Sequence, residues 1–149
     1  MTTYVDRVLE PSETVRYRTT VSGIVYVPSL LLAFMAAMFL LAAGSNPAGE
    51  VIAALGALAA ISNFLSAWFR RWTTEIAVTD RRVIIKHGFI RRATMEMNLQ
   101  KIESVDVDQS LIGRIFDYGA VTIRGVGSSY EPLRLIDAPL KLRSTVTAG

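Results

Sequence analysis

Two stretches without a single charged side chain, Thr19 to Gly49 and Val51 to Phe69, are separated only by Glu50. Nothing else in the chain constrains its folding as strongly. An α-helix rises 1.5 Å per residue, so about 20 apolar residues cross the hydrocarbon core of a bilayer, and each stretch supplies one such segment. The first span is read as Ile24 to Ala43, IVYVPSLLLAFMAAMFLLAA, with Tyr26 near an interface and Pro28 in the opening turns, where a missing N–H is best tolerated. The second is Val51 to Phe69, VIAALGALAAISNFLSAWF, closing on Trp68 as an interfacial aromatic. Between them GSNPAGE reads as a tight turn. A helix apolar on every face needs burial all round, and the rest of the chain is too short to provide that twice in water. The expectation is a transmembrane helical hairpin over residues 22–69. Its first span follows a mixed polar segment, lacks an abutting basic region and is too long for a signal-peptide core, so cleavage is not expected.

A hydrophobic content of 51% in 149 residues agrees with a membrane class. The remainder has room for one compact domain of about 80 residues. Cysteine is absent, which excludes disulfides, thiolate metal sites and a cysteine nucleophile. Arg16 and Arg18 precede the first span, Arg70 and Arg71 follow the second, and the intervening turn has neither Lys nor Arg. The positive-inside rule then puts both termini in the cytoplasm.

From Trp72 onward continuous apolar sequence gives way to alternation. TTEIAVT (Thr73 to Thr79) and RVIIKH (Arg82 to His87) read as strands joined by a turn, with the Asp80 carboxylate accepting a nearby backbone N–H. RRATMEMNL places Ala93, Met95, Met97 and Leu99 on one face. IESVDVDQ offers Ile102, Val105 and Val107 as an inward set after an irregular step. SLIGRIFDYG breaks the alternation and reads as a helical turn or two, from Ser110 to Gly119. AVTIRGV and PLRLIDA are further strands, and Pro139 opens a short terminal helix. Upstream, ETVRYRTTV (Glu13 to Val21) also alternates, so residues 1–21 form a cytoplasmic segment with a candidate extra strand for the sheet of residues 70–149.

TEIAVTDRRVIIKHGFIRR, NLQKIESVDVDQSLIGRIFDYG and AVTIRG, in that order and spacing, resemble the bacterial membrane-associated PH-like (pleckstrin-homology-like) domain proteins, first described as a membrane-flanked domain of unknown function. The resemblance covers most of Trp72 to Pro139, and VLEPSETVRYRTT followed by a hairpin is similar to that family's N-terminal part. It implies an α+β membrane protein of the bacterial plasma membrane: two packed antiparallel sheets, a PH-like sandwich or barrel, closed by a C-terminal helix. Many PH domains hold an inositol phosphate with a Lys followed by an Arg/Lys-x-Arg pair. Here Lys86 is followed by Arg91 and Arg92, whose adjacent side chains point to opposite faces of a strand, which argues against that pocket.

Residues 70–92 carry +5 net and residues 93–149 carry −1. Arg70, Arg71, Arg81, Arg82, Lys86, Arg91 and Arg92 are therefore the candidate contacts to anionic lipid. Catalysis is not expected. His87, the single histidine, reads as a solvated residue beside Gly88. Asp106 and Asp108 share a strand face but lack further oxygen donors. GVGSSY is a hairpin loop and not a phosphate cradle. No cofactor or metal is implied, and without an aromatic platform no nucleic acid. In the second span Ala53, Gly56, Ala57 and Ala60 form small-residue surfaces suited to close helix contact, and Asn63 needs a polar partner in lipid. The leading expectation is a non-enzymatic, membrane-anchored module that assembles with itself or another membrane protein. The alternative is an anionic-lipid-binding or lipid-sensing domain.

Overall fold

The computed structural model describes residues 4–44, 46–88, 93–126, 128–129 and 132–148. The chain divides into two compact units, one formed by Met1–Ser22 with Arg70–Gly149 and the other by Gly23–Phe69.

The second unit consists of a 3-10 turn at Gly23–Tyr26, helix α2 (Val27–Ala43) and the first part of helix α3 (Pro47–Thr73). α3 is longer than the span read from the sequence. Asn46 accepts the Ala48 N–H at 3.0 Å and Pro47 takes the first turn, so half of the segment read as a turn is helical. At its other end Arg70 and Arg71 lie within the last turn, where cations meet the negative end of the helix dipole. By length and composition, Gly23–Ala43 and Pro47–Thr73 can each cross a membrane, with mean hydropathy 2.4 and 1.8. Only 17% of each apolar window is buried, so the described residues leave most of this apolar surface uncovered.

The two helices touch along faces of small residues. A Cβ on Gly49 would lie 2.3 Å from the Ala43 Cβ, and one on Gly56 would lie 3.1 Å from the Ala36 Cβ. Ala36 on α2 and Ala53, Ala60 and Ala67 on α3 are buried. The last three recur every seven residues, the repeat that keeps one helix face on a neighbour. Further along, the Tyr26 and Phe64 rings lie 5.1 Å apart. Leu30, Phe34, Leu41, Leu55 and Leu58 are exposed.

In the first unit, α1 (Tyr4–Val8) precedes β1 (Val15–Thr19), and the chain returns through β2 (Glu75–Thr79), β3 (Arg82–His87) and β4 (Ala93–Asn98). These strands form an antiparallel sheet in the order β1-β2-β3-β4. The second sheet contains β5 (Ile102–Asp108), β6 (Tyr118–Gly125), β7 (Ser128–Ser129) and β8 (Leu133–Asp137), with β5, β7 and β8 all paired to β6. Helix α4 (Leu111–Ile115) joins β5 to β6, and α5 (Pro139–Thr147) ends the chain.

Alternation decides what meets between the sheets. Ile76, Val78, Val83, Ile85 and Met97 from the first sheet pack with Val105, Val121, Ile123 and Ile136 from the second, and Leu142 and Val146 of α5 close the core. Ala77 and Ile84 point the other way and would face water, but Val5 of α1 covers them. That is why the centre of β2 and β3 is apolar on both faces. Nothing in the sequence reading anticipated α1.

The sheets join at one corner through Ser22 N–H to Leu135 C=O at 2.6 Å and Asp137 N–H to Thr20 C=O at 3.0 Å. The Thr20 hydroxyl donates to the carbonyls of Thr74 (2.6 Å) and Arg71 (3.1 Å), pinning the strand that leaves this unit to the segment that re-enters it. Two local expectations change. In the β2–β3 turn Thr79, not Asp80, accepts the N–H groups of Arg81 and Arg82, while Asp80 accepts the distant Thr14 N–H at 3.0 Å. The segment read as helical to Gly119 is helical only to Ile115; Tyr118 and Gly119 begin β6, after Asp117 turns the chain with φ 49°.

Candidate functional site

A cleft of about 880 Å³ opens at one end of the β-rich unit, lined by segments far apart in sequence. Val21, Leu133, Leu135, Ile136 and Ala120 supply apolar wall, while Arg70, Thr73, His87, Asp108, Ser110 and Arg134 supply polar groups. The strands explain the gathering. β1 ends here, β2 begins here after α3, β3 ends here at His87, and β5 hands over to β6 here through Ser110 and Tyr118. Leu135 holds a left-handed backbone, φ 58°, an unusual conformation for a bulky residue, and its carbonyl accepts the 2.6 Å bond from Ser22. Neither Arg70 nor Arg134 makes an ion pair among the described residues. Among the described residues the cleft thus offers two guanidinium groups and one carboxylate, Asp108, around a largely apolar hollow, an arrangement suited to an anionic amphiphile.

Of the seven basic residues singled out from the sequence, the five that are described do not lie together. Arg70 lines the cleft and Arg71 sits beside it in the last turn of α3. Arg81 and Arg82 lie at the opposite end of β2, whose five residues at about 3.3 Å each put them roughly 17 Å away. Both are held by acids from the N-terminal segment. Arg81 Nη1 donates to Glu10 at 2.9 Å and Nη2 to the Ser12 hydroxyl at 2.9 Å. Arg82 grips both oxygens of Glu13, at 2.9 and 2.7 Å, and also donates to Glu96 at 2.7 Å and to the Val8 carbonyl at 3.1 Å. The Glu13 side chain is fully buried. Arg82, helped by the Thr79 hydroxyl and the Glu10 N–H, pulls its pKa from 4.5 to about 2 despite the opposing cost of burial. This cluster anchors the segment from Val8 to Glu13 to the β2–β3 turn. Lys86 stands 5.1 Å from the centre of the Tyr4 ring. Arg91 and Arg92 lie outside the described residues.

Arg134 was not singled out from the sequence, because a lone Arg between two leucines in a short strand looks like ordinary surface. Among the candidate helix-packing residues, Ala53, Gly56 and Ala60 lie on the face directed at α2, and Ala57 and Asn63 are exposed. The Asn63 amide has no hydrogen-bond partner among the described residues, whereas the Ser66 hydroxyl donates to the Ser62 carbonyl at 2.9 Å. Asp106 pairs with Arg124 at 3.0 Å across β5 and β6. No cluster of three metal-ligating side chains occurs among the described residues. His87 ends β3 at the cleft rim.

Comparison with curated proteins finds no match, and comparison with solved structures finds none. The family model described as "Bacterial PH domain" matches residues 18–148, which covers the end of β1, both apolar helices and the strands and helices that follow them. Two antiparallel sheets closed by a C-terminal helix agree with that match, and the chain belongs to the bacterial PH domain family.

Proposed function

We propose that the protein is a non-enzymatic interaction module of the bacterial plasma membrane, anchored by a transmembrane hairpin formed by α2 and α3. In this reading both termini and the β-rich unit are cytoplasmic, and the module assembles with itself or with another membrane protein. The observation that carries it is Asn63, an exposed amide without a partner among the described residues, seven residues or about 10 Å before Arg70. A primary amide at that depth in hydrocarbon is costly until it meets a donor or acceptor, and a neighbouring helix is the available source. Native mass spectrometry of the full-length chain in mild detergent tests this. The expected result is a defined homo-oligomer or a stoichiometric partner, dispersed by Asn63→Leu without loss of membrane insertion. A monomer with no partner protein would refute assembly.

The cleft favours a second reading, the binding of an anionic lipid. Arg70 and Arg134 supply charge, Leu133, Leu135 and Val21 supply apolar wall, and Arg70 directly follows the apolar run. Phosphatidylglycerol that co-purifies with the wild type and is lost in Arg70→Gln/Arg134→Gln would support it. Equal retention by both proteins would count against it.

A further inference from the structure

We infer that α4 is an interfacial foot, inserted into the headgroup region of the same bilayer that α3 leaves. The inference rests on the reading that α2 and α3 cross a membrane. Outside those two helices, the exposed large apolar side chains among the described residues are Leu111, Ile112, Ile115, Phe116, Val126 and Leu140. Four of these six belong to one turn of chain, α4 and its C-cap.

The helix is inside out by the standard of a water-soluble protein. At about 100° per residue, Leu111, Ile112, Ile115 and Phe116 share one face roughly 140° wide. The residue that α4 buries is Gly113, whose added Cβ would lie 2.6 Å from the Tyr118 carbonyl oxygen. A small residue is therefore packed against β6 while the apolar face points away. Leu111 and Ile115 are 78% and 77% exposed, so the β-rich unit does not cover that face. Arg114 stands beside it, the pairing of apolar surface with cation that suits an anionic headgroup layer.

The occupant follows from what surrounds α4. Its N-cap Ser110, and Tyr118 just beyond its end, line the same cleft as Arg70 and Thr73, which directly follow the apolar run of α3. Chain connectivity keeps Arg70 at the surface where that run ends. The cleft then keeps the start of α4 close to the same surface, so its apolar face has lipid within reach.

Because the chain contains no cysteine, a single introduced thiol is a unique label site. Ile115→Cys, Leu58→Cys and Glu103→Cys would each carry an environment-sensitive fluorophore. The full-length proteins would be reconstituted in vesicles of phosphatidylethanolamine and phosphatidylglycerol. All three positions are exposed, and Glu103 lies near the end of β5 opposite the cleft residue Asp108. The expected result is that brominated lipid quenches the Ile115 label several-fold more than the Glu103 label, with matching protection from aqueous iodide. If the Leu58 label is quenched by lipid while Ile115 stays open to iodide, the foot is refuted and the anchor stands. Protection of Ile115 from iodide without quenching by lipid would mean that protein covers α4, and also refutes it. An unquenched Leu58 label would remove the anchor and the foot together.

Discussion

Glu13→Gln tests the ion cluster that ties the N-terminal segment to the β2–β3 turn. The substitution keeps the shape of the side chain and removes the charge that Arg82 grips from 69 positions away. A carboxyl with a lowered folded pKa binds fewer protons folded than unfolded, so its contribution is fully present above 4.5 and is lost as pH falls towards about 2. At about 1.4 kcal/mol per pH unit, the interval from 4.5 to about 2 corresponds to about 3 kcal/mol at neutral pH. That lies within the range for breaking a buried, hydrogen-bonded pair. Urea titration of the full-length chain in mild detergent, followed by far-ultraviolet circular dichroism of the strands, measures it. With a slope of about 1.5 kcal/mol/M, the variant midpoint should fall by about 2 M at neutral pH. The two proteins should converge as pH approaches 2, where wild-type Glu13 is itself protonated. A variant with the wild-type midpoint at neutral pH, or a gap that persists unchanged near pH 2, would refute the assignment of that energy to ionised Glu13.

Three further outcomes are expected. Gly119→Ala places a Cβ 2.7 Å from the Asp108 carbonyl oxygen, where β5 hands over to β6. It should cost about 1–3 kcal/mol in the same titration, and an unshifted midpoint would show that these strands have room to part. Asp106→Ala removes a 3.0 Å pair with Arg124 in which both side chains are more than half exposed, so its cost should stay below about 1 kcal/mol. A larger loss would mean that the pair stabilises β5 against β6 more than its exposure implies. Gly49→Leu forces a branched side chain into a site where even a Cβ would lie 2.3 Å from that of Ala43. The contact between α2 and α3 should loosen, read as a lower melting temperature in detergent, and an unchanged value would rule out tight contact there.

How much was legible from sequence varies from element to element. RVIIKH could be bounded at both residues because a β-branched run between Asp80 and Gly88 leaves little choice of period or end. The ends of α3 were harder. Asn-Pro inside GSNPAGE has the composition of a turn yet also caps a helix, and Arg70 and Arg71 read as the end of an apolar run while the backbone stays helical through them. α1 is a five-residue segment whose helix is supported by Val5 docking on Ala77 and Ile84, more than 70 positions away. The fates of Arg81 and Arg82 were hidden for the same reason, since Glu10 and Glu13, which hold them, lie before the first apolar helix. At α4 the sequence reads as a helical turn or two with no facing: LIGRIF is largely apolar, and only its packing shows the glycine turned inward.

By itself the sequence determined two apolar helices, a β-rich remainder with alternating faces and a zone of positive charge between them, because hydrophobic period and charge are local properties. Tertiary structure decided which charges meet and which make no ion pair among the described residues, because strand pairing joins residues that no local rule connects. The cleft shows this most fully. Arg70, His87, Asp108 and Arg134 come from four separate segments, and they share a rim only because strands of two sheets start or end at the same place.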